Sequence, residues 1–107
     1  MQIDLKRKTV YTALEYDGRQ YKQKVIGFLL PKKIYGRQYA VIKDPGVPNY
    51  EPYGYNVIDV KSGGAVVRNV PTRQKAIELA VKKLRKHGKD VCNDVINKFI
   101  EKTKGIQ

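Results

Sequence analysis

The residue pattern of this chain changes period once, at Pro71-Thr72, and that switch limits the architectures open to it. Before it, apolar residues alternate with polar ones or run in short blocks between turn residues. After it, they recur every third or fourth position. The first pattern suits strands and the second suits helices.

Thr9 to Tyr16 is rich in β-branched and aromatic residues, with Val10, Thr12, Leu14 and Tyr16 on one face. Asp17-Gly18 follows, a dipeptide that tolerates the positive φ of a type I′ turn, and Gln20 to Leu30 returns as the second strand of a hairpin. Gly27 within that return reads as a β-bulge. Pro31 to Arg37 is a basic loop and Gln38 to Lys43 a short third strand. Pro45, Pro48 and Pro52, with Tyr50 and Tyr53 interspersed or adjoining, keep the next stretch out of a ladder and make it an ordered loop that packs on the sheet. Tyr55 to Val60 and Ala65 to Val70 form a second hairpin across Lys61-Ser62-Gly63-Gly64.

Beyond the switch, Thr72 is placed to cap a helix whose apolar side carries Ile77, Ala80, Val81 and Leu84. Gly88 reads as its end. Asp90 is expected to cap a second helix that buries Val91, Val95, Ile96, Phe99 and Ile100 and stops at Gly105. The expected fold is α+β, one domain over residues 1–107. A five-stranded, mostly antiparallel sheet (two hairpins plus a short strand) is covered by two C-terminal helices.

Charge carries the functional reading. The chain has 22 Lys plus Arg against 10 Asp plus Glu, a net charge of +12 over 107 residues. That exceeds what solubility asks for and draws polyanions. Half of it lies between Arg73 and Lys89, where seven basic residues face one acid. On a helical wheel Lys75, Lys82, Arg85, Lys86 and Lys89 fall opposite the apolar side, with Lys83 beside them. A solvated helix with dipole-matched cations is the plainer explanation; within so basic a chain, a ridge that meets phosphates is the stronger one. A second cluster, Lys32, Lys33, Tyr35, Arg37 and Tyr39, alternates cations with aromatics, as a groove that tracks a backbone and stacks bases does. The competing reading is tyrosines half-buried at a rim. Lys6-Arg7-Lys8 is a third basic cluster, and Arg68 and Asn69 are polar strand residues that could reach bases.

No catalytic set stands out. His87 sits at a basic helix end without an acidic or nucleophilic neighbour, and Cys92 lies on an apolar helix side and reads as core. Glycine-rich phosphate loops, paired carboxylates and metal-ligand spacings are absent from the sequence, so no cofactor or metal is expected. Glu15, Asp44, Glu51 and Asp59 are the acids that folding would have to gather for enzyme chemistry. One cysteine suits a reducing compartment, and no apolar run approaches the roughly 18–20 residues of a membrane span. Met1 to Leu14 shows no signal-peptide apolar region, so a cytoplasmic address is expected.

The run from Tyr55 through the Gly63-Gly64 turn to Pro71-Thr72-Arg73-Gln74-Lys75-Ala76 resembles the arm-type DNA-binding domains of tyrosine integrases, over about Tyr55 to Leu84. The resemblance implies a sheet that enters the major groove with a helix behind it. Two further N-terminal strands and a second expected helix lie outside the pattern. Together these features lead to a non-enzymatic protein that binds DNA or RNA through phosphate contacts, in the style of a phage or mobile-element accessory protein. The alternative is a protein-binding module or inhibitor that docks on an acidic host factor.

Overall fold

Residues 5–48 and 50–102 are described in the structure, a computed structural model. Five strands, β1 (Arg7–Tyr16), β2 (Arg19–Leu29), β3 (Tyr39–Lys43), β4 (Tyr55–Asp59) and β5 (Ala65–Val70), pair antiparallel in chain order. One helix, α1 (Arg73–Lys102), follows. The expected α+β class and antiparallel sheet hold. The type I′ hairpin turn also stands, with Asp17 at φ 52° and Gly18 at φ 73° between the paired Tyr16 and Arg19.

The sheet curls until its first strand meets the last turn. Ala13 N, on the free edge of β1, donates to Gly63 O at 3.0 Å. Only glycine serves at position 63: its φ is +76°, and a Cβ there would lie 2.8 Å from the Tyr11 carbonyl oxygen. The curl encloses an inner core of Val10, Ala40, Ile42 and Ile58. Gly27 lies in this inner core and is not a bulge. Its register with Lys8 and Ile42 is regular, and a Cβ would stand 3.0 Å from Val10 Cγ2 and 3.1 Å from Ile42 Cγ2. The ladder irregularity falls instead between β4 and β5, where buried Asn56 accepts from Asn69 N at 2.8 Å.

The outer face of β3, β4 and β5 presents Tyr39, Val41, Val57 and Val70 to α1, which answers with Ala76, Ala80, Leu84 and Cys92. Small residues at 76 and 80 let the helix approach the sheet, and burial of a side chain such as Leu84 is worth roughly 1.5–3 kcal/mol. Thr72 caps the helix as expected, its Oγ1 accepting from Lys75 N at 3.1 Å.

The two expected helices are one element, kinked at Gly88, whose φ 80° and ψ 167° are non-helical. The chain re-enters the helix at once, so Asp90 stands in the first turn of the second arm. The kink also turns the second arm: Cys92 and Ile96 reach the core, whereas Val91 and Val95, expected to be buried, are 50% and 59% exposed. The expected stop at Gly105 and the Phe99 side chain lie outside the described residues.

The proline-tyrosine loop is built around Asp44. One of its oxygens accepts from Gly46 N and the other from Asn56 Nδ2, at 2.8 and 2.9 Å, and Asp44 N donates to Gly54 O. Lys43 Nζ bonds the Glu51 carbonyl and lies 4.7 Å from the Tyr55 ring centre and 5.9 Å from that of Tyr53.

Candidate nucleic-acid interface

Burial of Ala76, Ala80 and Leu84 orients the rest of α1. Lys75, Lys82, Arg85, Lys86 and Lys89 are all exposed, and none is ion-paired among the described residues. Their charge is therefore available to an external anion. Lys83 is exposed too, but its Nζ donates to Val66 O at 2.9 Å, tying α1 to the free edge of β5. It stands beside Arg68, also exposed, and His87 at the rim of a cleft of about 330 Å³ between β5 and the second arm.

The basic loop divides into two kinds of residue. Lys32 and Lys33 are exposed, and Tyr35, at φ 52°, is half-buried against the outer core. Arg37 faces inward. Its Nε donates to Asn93 Oδ1 at 3.0 Å, one terminal nitrogen donates to Asn97 Oδ1 at 3.1 Å, and the other lies 3.8 Å from Asp59 Oδ2. These bonds spend the guanidinium on holding the second arm of α1. Tyr39 corrects the expected stacking array outright: it is fully buried under α1, so no base can reach its ring. Burial, with the Asp59 carboxylate and Cys92 adding and Arg37 opposing, pushes its hydroxyl up to about 12.

Sequence reasoning counted Arg7 and Arg73 among the basic clusters but passed over Phe28, Tyr11 and Lys24, which the fold brings near or onto the surface. Arg7 and Arg73 both lie over the Phe28 ring, 5.7 and 4.7 Å from its centre, joining the start of β1 to the start of α1. Tyr11 is half-exposed on β1, directly opposite Lys24 on β2. The available signal was strand parity: if Val10 and Thr12 face the core, Tyr11 must face away.

The acids are dispersed. Asp44 belongs to the proline-tyrosine loop, while Asp59, at the other end of the β3–β4 pair, accepts from Ser62 N at 2.9 Å. Among the described residues no three of His, Cys, Asp and Glu gather as metal ligands. Cys92 is buried as expected, its Sγ 3.4 Å from Leu84 O, and desolvation raises its thiol above the usual range. No helix among the described residues is long and apolar enough to cross a membrane.

No protein-family model, curated protein or solved structure matches the chain. The groove-entering sheet implied by the integrase resemblance is unavailable at β4, because the face of β4 turned away from α1 carries Asn56 and Ile58, both buried within the curl.

Proposed function

We propose that the protein binds nucleic acid without altering it chemically, its affinity coming mainly from phosphates. One observation carries this reading: a stripe of exposed α1 cations, free of acidic partners among the described residues, in a chain of net charge +12. Lys75, Lys82, Arg85, Lys86 and Lys89 supply most of the contact, with Lys32 and Lys33 adding to it. Such contacts position a backbone and read no sequence. Arg37 supports the surface from behind, and Tyr39 is part of the core.

Charge reversal tests the proposal. Replacing Lys82, Arg85, Lys86 and Lys89 with Glu is expected to abolish binding to labelled DNA and RNA at about 50 mM salt, where the native protein binds both. Loss of affinity no greater than that caused by a reversal at Lys98, already paired with Asp94 at 3.1 Å, would count against it.

A protein partner is the second reading, and the exposed Val91 and Val95 beside the β5 cleft favour it. In that case Val91→Asp and Val95→Asp would remove the partner while nucleic-acid affinity stayed unchanged.

A further inference from the structure

The helix covers only part of the outer sheet face. Alternation along β1 and β2 puts Arg7, Thr9 and Tyr11 on that face with their partners Phe28, Ile26 and Lys24. The β2–β3 register ends at the pair Gly27–Ile42, next to Ile26 on β2 and to Lys43 on β3, whose ammonium lies over Tyr55 and Tyr53. Beyond Phe28, and among the described residues, this face is open: Ile26 is 62% exposed and Tyr11 51%, with Tyr53 of the adjoining proline-tyrosine loop at 43%. Large apolar and aromatic side chains thus stand in the open on two strands and the loop beside them, where scattered single exposures are the norm. Cations accompany them: Lys24 pairs across from Tyr11, Lys43 lies over Tyr53 and Tyr55, and Arg7 and Arg73 lie over Phe28.

We propose that this uncovered sheet face is a platform for unpaired nucleotides, with bases stacked on Tyr11 and Tyr53 and phosphates held by the exposed Lys24 and Arg73. The proposal rests on the nucleic-acid reading and adds to it the strand state of the ligand. Charge selects the occupant: an apolar partner alone would not call for Lys24, Lys43, Arg7 and Arg73 beside Tyr11, Ile26, Tyr53 and Phe28. Stacked bases offer aromatic faces to the rings and anionic backbone to the rim. A duplex keeps its base faces stacked inside and can offer this surface only phosphate. Phe28 lies where the platform meets α1, so Arg73 connects the bases to the phosphate-binding stripe.

The chain contains no tryptophan, so Tyr11→Trp places a single indole on the platform. Its emission is expected to fall on addition of oligo(dT) or oligo(U) and to stay constant with a duplex. Tyr11→Ala should weaken single-strand binding about tenfold and leave duplex binding within twofold, whereas Tyr11→Phe should retain both. Comparison of the two oligonucleotides separates DNA from RNA as the preferred strand. An unquenched indole with single-strand affinity intact would overturn the platform and leave the α1 stripe standing. If the native protein binds no nucleic acid, both readings fall together.

Discussion

Arg37 Nε donates to Asn93 Oδ1 at 3.0 Å, and this bond fastens the second arm of α1 to a loop of the sheet. Arg37 is also the nearest cation to Asp59, whose side chain is 2% exposed. Replacing Arg37 with Met strands that carboxylate and frees Asn93 and Asn97, which should cost about 2–4 kcal/mol in urea unfolding. An exposed stripe residue treated the same way, Lys86→Met, should stay within about 0.5 kcal/mol.

Gly63 lets β1 close on the β4–β5 turn. A side chain there meets both an unfavourable φ and the Tyr11 carbonyl, so Gly63→Ala is expected to lose about 2–4 kcal/mol. Hydrogen exchange should show the Ala13 amide, bonded to Gly63 O, losing protection along with it.

Tyr39 sets an alkaline limit. Its folded pKa of about 12 lies above the ordinary value of 10.0, so the unfolded chain gives up the phenolic proton first. The stabilising effect is complete below pH 10 and is lost as pH rises through about 12, with a slope of the order of 1 kcal/mol per pH unit. Tyr39→Phe removes this component of the alkaline decline. Because the hydroxyl has no hydrogen-bond partner among the described residues, the variant should match the native stability at neutral pH within about 1 kcal/mol, or exceed it.

Lys82 and Lys83 are adjacent and equally charged but differ in employment. Lys82→Ala should weaken binding and leave the unfolding midpoint in place. Lys83→Ala should lower the midpoint, since its ammonium bonds Val66 O, and weaken binding less. Paired binding and melting measurements on the two variants decide this.

Much of the fold was legible because it rests on local rules. The Asp17-Gly18 turn, the Thr72 cap and the strand periods each act over a few residues, and the structure follows them. The errors came from relations between distant parts. Tyr39 looked like a surface aromatic in a basic run, but its neighbours in space are α1 residues more than thirty positions away. Arg37 had partners at positions 93 and 97 that nothing nearby in sequence announced. A break at Gly88 with helix resuming just beyond it was legible, whereas the direction of the second arm, which leaves Val91 and Val95 exposed, depends on tertiary packing. The outward direction of the α1 cations, by contrast, followed from its apolar spacing.

The central claim is that exposed cations bind phosphate, and the salt dependence of affinity measures this directly. Fluorescence anisotropy of labelled duplex DNA, repeated from about 50 to 200 mM salt, should give a log–log slope of about −4 to −6, for the five α1 cations with contributions from Lys32 and Lys33. Removal of Lys86 alone should make the slope shallower by about one. A slope near zero, or no binding at the lowest salt, would contradict the account.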